Sequence, residues 1–341
     1  MRSIFLTFIF ITTIGLISCE DSFSPKVIEE ENYVVSCIIG IADTHENFRP
    51  TAYLTKIYDV AGIDPTENEL DPTISGAIIT LGYSHGETHF LDEDTLIYYD
   101  PLNPDSILWV SENLYGNPFI LYKANEIRIQ NQEMSLEINL MAGKKLTANT
   151  KFPRGVFFNY SYDFPHGVTP EINQWKHGDY WGIYWDTLEE ELYFVTLILS
   201  YSIEDDSTTK YHEVEMPLQY IKRKGNQEPV YPKYQSTGKL EYKFNAIDKT
   251  LSLISDGDTK KSKYKIWGLE IRAVVYSKEL AKYYSSTNGY LDPYSVRLDE
   301  KVYSNINGGL GIFGTYKSTS IPHEIDEDYI HSFGYKSRYD N

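Results

Sequence analysis

The chain has 341 residues, with 49 acidic against 31 basic side chains and a formal net charge of −18. So acidic a chain repels phosphate backbones and anionic headgroups, which argues against nucleic acid as a partner and against electrostatic docking on a membrane. Its only two cysteines, Cys19 and Cys37, do not amount to a disulfide framework.

The first predicted element is an export signal. Met1-Arg2-Ser3 supplies a basic start, and the apolar run over residues 4–17 is shorter than the roughly 20 residues a bilayer span needs. The run closes on Leu16-Ile17-Ser18-Cys19, which resembles the lipobox of bacterial lipoproteins, where cleavage before the cysteine leaves it carrying acyl chains. Residues 1–18 are therefore expected to be a signal peptide, residues 19–31 a lipid-anchored linker, and Cys19 the lipidated residue. One acyl chain holds a protein only marginally, whereas several hold it stably at roughly 0.8 kcal/mol per buried methylene. Glu20-Asp21 is similar to the acidic surface-export signal of Bacteroidetes lipoproteins, which implies an outer-membrane protein facing the cell exterior. In an enterobacterial cell the same acidic residue would mean retention at the inner membrane. With Cys19 committed to lipid, Cys37 has no partner, and its place in the apolar run Tyr33-Val34-Val35-Ser36-Cys37-Ile38-Ile39 predicts a buried structural thiol.

The remaining pattern is β. Tyr occurs 30 times, and Tyr, Val, Ile, Thr and Phe suit a pleated, half-buried surface. Over residues 133–140 the apolar set is Met134, Leu136, Ile138 and Leu140, with Glu133, Ser135, Glu137 and Asn139 opposite. Ala142-Gly143-Lys144 predicts the turn that follows. A domain boundary is expected near Lys151-Phe152-Pro153-Arg154-Gly155, giving domains at 32–153 and 154–341. Tyr193, Val195, Leu197, Leu199, Tyr201 and Ile203 alternate again, with an opposite face apolar enough for a central strand. Because Thr196, Ser200 and Ser202 interrupt this stretch, it is no transmembrane helix. Trp267, Leu269, Ile271, Ala273 and Val275 form a third alternating set, preceded by a turn at Ser255-Asp256-Gly257-Asp258. The one clear helix signal is residues 277–284, with Ser277 as N-cap and Glu279 in the first turn. An antiparallel sandwich with one short helix is the expected fold.

Four stretches together resemble one family. Residues 133–153, Val34-Val35, Ile183-Tyr184-Trp185-Asp186, and above all residues 302–314, Val-Tyr-Ser-Asn-Ile-Asn-Gly-Gly-Leu-Gly-Ile-Phe-Gly, are similar in order and type to Bacteroidetes outer-membrane lipoproteins of domain-of-unknown-function family 4249. The resemblance implies an N-terminal immunoglobulin-like or transthyretin-like β-sandwich and a larger, β-rich C-terminal domain. It also implies partnership with a TonB-dependent receptor, and it carries no catalytic residues.

Candidate sites are few. Gly309-Leu310-Gly311-Ile312-Phe313-Gly314 matches the dinucleotide pattern G-x-G-x-x-G, but the polar, β-branched segment after it cannot supply the required helix. Gly308, Gly309, Gly311 and Gly314 are expected to serve backbone geometry, with Ile312 and Phe313 packing inward and Asn305 and Asn307 bonding turn backbone. No cofactor is expected. His85, Glu87 and His89 could share zinc if a hairpin joined them, although a polar turn explains them better. Asp92-Glu93-Asp94, Glu204-Asp205-Asp206 and Asp256-Gly257-Asp258 offer calcium-type oxygens but are expected to be solvated loops. Motifs for hydrolysis are missing from the sequence, so an enzyme is not expected. The aromatic group Trp175, Tyr180, Trp181, Tyr184 and Trp185 is the best candidate for recognition of a protein or a glycan, against core packing, which strand parity favours for Trp181 and Trp185. Two readings of function stand: a non-catalytic accessory to a TonB-dependent receptor with an unknown small-molecule or glycan ligand, and a glycan-binding or adhesion protein independent of a transporter.

Overall fold

The computed structural model describes residues 32–42, 47–57, 73–100, 103–112, 117–128, 133–158, 180–205, 208–286 and 303–340. Residues 1–31 with Cys19, Trp175 and Asp206 lie outside the described residues.

The fold is mainly β, as composition and alternation predicted. The first half of the chain forms β1 (Asn32–Ala42), β2 (Asn47–Phe48), β3 (Thr51–Ile57), β4 (Ile78–Tyr83), β5 (Thr88–Thr95), β6 (Ile97–Asp100), β7 (Asn103–Val110), β8 (Ile120–Lys123), β9 (Ile127–Arg128), β10 (Glu133–Asn139) and β11 (Lys145–Lys151). The second half adds β12 (Tyr180–Tyr184), β13 (Leu192–Asp205), β14 (Thr208–Glu215), β15 (Gln219–Arg223), β16 (Asn226–Val230), β17 (Lys239–Lys243), β18 (Tyr264–Tyr276), β19 (Leu310–His323) and β20 (Lys336–Ser337). Three α-helices lie among the described residues where the sequence predicted one: α1 (Phe244–Ile254), α2 (Lys278–Ser286) and α3 (Glu327–Ser332). Helix α1 escaped prediction because no side chain caps its N-terminus, which leaves only Ala246, Ile247, Thr250 and Leu251 on its buried face as a signal.

One long sheet runs β11-β10-β4-β5-β8-β3-β1-β19-β18-β13-β14, with β20 beside β18. It is mixed, not purely antiparallel, since β1 pairs with β19 in parallel from Val34↔Leu310 to Ala42↔Ser318. Two strands turn corners. Residues 88–91 of β5 pair with β4 while residues 92–95 pair with β8. Likewise β19 gives its first residues to β1 and its last, from Tyr316 to His323, to β18. The far edge strand β11 meets the segment just before β19, where Thr147 and Asn307 exchange backbone hydrogen bonds of 3.2 and 2.7 Å. The first eight strands of the order thus close on themselves, while β14 is left at the other end.

Two cores follow. Val35, Cys37, Leu54, Ile79, Leu81, Met134, Leu136, Ile138, Leu146 and Phe313 fill the closed half. Each fully buried Leu or Ile there contributes about 1.5–3 kcal/mol. Cys37 is fully buried, and burial pushes its thiol up to about 12, as expected of a structural cysteine. In the other half, β13 and β18 turn Tyr193, Val195, Leu197, Leu199, Leu269, Ile271 and Val275 toward a layer made of β12, β17, α1 and α3.

The alternation of β18 breaks once. Leu199 pairs with Leu269 and Ser200 with Gly268, but Tyr201 then pairs with Ile266, so Trp267 is skipped by a bulge. A side chain at Gly268 would crowd the His323 carbonyl oxygen at 2.9 Å, and φ there is 146°. Trp267, expected on the core face with Leu269, therefore sits half-buried on the opposite face, its indole N–H donating to Ser202 Oγ at 3.0 Å. The turn at residues 255–258 follows helix α1, not a strand.

Candidate functional site

Of the tryptophans singled out by sequence, Trp181 and Trp185 lie against the second core. Trp185 is buried between Phe158 at 6.3 Å and Tyr193 at 6.0 Å between ring centroids. Trp181 packs half-buried against Tyr242 and His323. On the other face of β12, Tyr180 is exposed and Tyr184 has the Lys239 ammonium 5.7 Å over its ring. Strand parity divides Tyr180 and Tyr184 from Trp181 and Trp185 as the sequence indicated.

The glycine cluster is the seam between the two halves. Gly308 and Gly311 take positive φ of 81° and 109°. At Gly311 a side chain would also collide with the Val35 carbonyl on the paired strand, so only glycine lets β1 and β19 meet here. Gly309 lies against the Tyr33 carbonyl and Gly314 against Leu280 of α2. Ile312 and Phe313 are both buried, but on opposite faces of β19: Phe313 enters the first core, Ile312 a small cluster with Leu280 and Tyr276. Asn305 imitates a strand neighbour. Its Oδ1 accepts from Phe313 N at 2.9 Å, and its Nδ2 donates to Phe313 O at 2.7 Å and Asn149 O at 3.2 Å. Ser277, the expected cap of α2, accepts from Leu280 N at 3.4 Å and from Thr315 N at 3.3 Å, tying the helix to the same seam.

The titratable groups serve structure. A tight turn after Tyr83 places Glu87 between two imidazoles, 3.0 Å from His85 Nε2 and 3.0 Å from His89 Nε2. Tyr83 stacks on His85, and burial, with Glu87 nearby, pushes its phenol up to about 12. Asp92-Glu93-Asp94, expected in a loop, lies within β5. Glu93 accepts from Gly76 N at 2.6 Å, Ser75 Oγ at 2.7 Å and Tyr122 Oη at 3.3 Å, and the Gly76 bond foremost holds its carboxyl below the usual range. Asp258 accepts from Lys260 N at 2.8 Å and pairs with Lys263. Among the described residues no group of three or more His, Cys, Asp or Glu side chains has metal-binding geometry.

The surface that sequence missed is the outer face of β14, β13 and β18. At one end Tyr211, 71% exposed, leans at 37° toward the Trp267 ring, centroids 6.0 Å apart. Ser200 and Gly268 are small neighbours across the middle. Beyond them Arg272 forks onto Glu213 at 2.6 and 2.8 Å and donates through Nε to Glu270 at 2.5 Å. These bonds, Glu213 first, hold the guanidinium more firmly protonated than usual. At the far end half-buried Phe194 stacks on Tyr234 at 4.8 Å, and Tyr234, Tyr284 and Tyr316 pack around the buried Tyr276. The bulge hid half of this site, because alternation put Trp267 in the core. Flat rings beside fixed hydrogen-bonding groups suit sugar faces or a protein partner.

Comparison with protein-family models, with curated proteins and with solved structures gave no match.

Proposed function

We propose that this chain is a non-catalytic outer-membrane lipoprotein, held by acyl chains on Cys19, that faces the cell exterior and serves a TonB-dependent receptor in binding or uptake of a nutrient. It joins the family of Bacteroidetes lipoproteins that residues 302–314 resemble. The observation that supports this reading is the division along the long sheet. The linker enters the closed half through β1, whereas the half-exposed aromatic and charged face belongs to the half that ends in β14. A non-catalytic role also suits the acidic groups, since Glu87, Glu93 and Asp258 are engaged with neighbouring turn and strand groups.

The test is a mild-detergent pull-down of the tagged full-length protein from its native membrane, with Cys19→Ala as control and mass spectrometry of what co-elutes. A stoichiometric TonB-dependent receptor, retained only with the lipidated form, is the expected result. A protein that comes down alone from outer membrane sinks the partnership. The second reading, a glycan-binding protein independent of any transporter, is favoured by the Tyr211 and Trp267 pair. It predicts retardation in gels cast with soluble polysaccharides, lost in Tyr211→Ala and Trp267→Ala.

A further inference from the structure

The strand registers place six termini at one end of the closed half. There β1 begins at Asn32, β19 begins at Leu310 and β3 ends at Ile57, since Asn32 pairs with Ile57 and Val34 with Leu310. Beside them β10 ends at Asn139, paired with both Ile78 at the start of β4 and Lys145 at the start of β11. Residues 19–31 enter β1 here, so this is the end to which the linker attaches.

It is also an apolar end. Five large aliphatic or thioether side chains are exposed among the described residues, Ile78, Met141, Leu188, Leu253 and Leu310, and three of them are here. Met141, at the tip of the β10–β11 hairpin, is 84% exposed, Ile78 57% and Leu310 43%. Lys144, its ammonium 5.1 Å over the Tyr33 ring, and Lys145, paired with Glu137 at 2.8 Å, stand behind them. Apolar tips backed by long cationic stems suit a headgroup boundary, where the stems reach outward and the tips inward. The opposite end, at the His85-Glu87-His89 turn, is polar.

We propose that this end of the protein docks on the lipid surface in which Cys19 is anchored, with Met141, Ile78 and Leu310 entering the headgroup layer. The proposal rests on the lipid anchor read from Cys19. The occupant follows from the linker: twelve residues separate Cys19 from Asn32, a reach of about 40 Å when extended. That confinement supplies a high local concentration of lipid, so a contact too weak to hold a free protein becomes a standing one. The acidic chain would otherwise drift from the surface, and the docked pose points the β14 half away from it.

The test uses the full-length lipidated protein with a nitrobenzoxadiazole probe on Ala142→Cys, beside Met141, or on His85→Cys at the far end; Cys37 is buried and does not compete. The protein is reconstituted into vesicles of phosphatidylethanolamine and phosphatidylglycerol. The expected result is a blue-shift and a several-fold gain in emission for the probe at 142, none for the probe at 85, and reversal of the former by adding Met141→Glu. Equal responses at both positions overturn the docked pose. Protein that floats with the vesicles while the probe at 142 stays water-like overturns docking and leaves the anchor standing. Protein that fails to float, with no acyl mass on its N-terminal peptide, overturns the anchor and the inference with it.

Discussion

The two halves of the long sheet solve the same edge problem differently. In the closed half β11 would present unpaired backbone, but Asn307 pairs with Thr147 and the Asn305 amide reaches Asn149. In the other half β14 keeps an outer edge and protects it with charge, carrying Lys210, Glu213 and Glu215. Closure needs residues from the far end of the chain, whereas charge is local. A closed sheet therefore stands or falls with a distant segment, and an open one is free to vary on its surface.

The largest effect should come from breaking the seam. Gly311→Val forces a side chain against Val35 and a β-branched residue to positive φ, and is expected to cost about 3 kcal/mol or more. Urea unfolding followed by fluorescence should show both halves weakened together; a change confined to one half would refute the shared strand. Asn305→Ala removes three hydrogen bonds at the same place and should cost about 2 kcal/mol.

Smaller effects should stay in the open half. Asp326 caps α3 by accepting from Tyr329 N at 2.9 Å, and Asp326→Ala should cost about 1 kcal/mol. The C-terminal turn adds a pH-dependent tie, since His331 Nε2 lies 2.7 Å from Asp340 Oδ2. Asp340 raises the imidazole above its usual 6.5, so the contribution of His331 is full below 6.5 and fades as pH rises through the raised value. His331 and the Ser337 N–H lower Asp340 from 3.8 to about 2, so its contribution is full above 3.8 and fades as pH falls toward about 2. Amide exchange at Ser337, corrected for intrinsic rates, should be slowest between these limits, and a flat profile would discount the pair. Smallest of all, Tyr211→Ala should shift stability by no more than about 0.5 kcal/mol, which separates a recognition role from a structural one.

What could be read in advance was local. Met134, Leu136, Ile138 and Leu140 point inward as their spacing requires, and Ser277 caps its helix. Trp267 was misplaced because a bulge shifts the phase by one residue, and nothing in the period-two pattern marks where a phase slips. Asp92-Glu93-Asp94 passed for a loop because the donors that settle Glu93 come from Ser75, Gly76 and Tyr122, outside any local window. The parallel pairing of β1 with β19 was unreadable for the same reason, and with it the closure of the first half. The outer aromatic face depended on both the bulge and the pairing, so the candidate site was less legible than the fold.

Ser318 bonds to the carbonyl of Ile41 across 277 residues of chain. That one separation sets an order of events during synthesis. An emerging chain can pair β1 with β3 at once, but the other edge of β1 waits for β19, almost the last strand made. The first half cannot close before β19 is made, and the waiting edge of β1 is the segment open to wrong pairing in the meantime. A stop codon anywhere before residue 310 therefore removes not a local piece but the strand that both halves share.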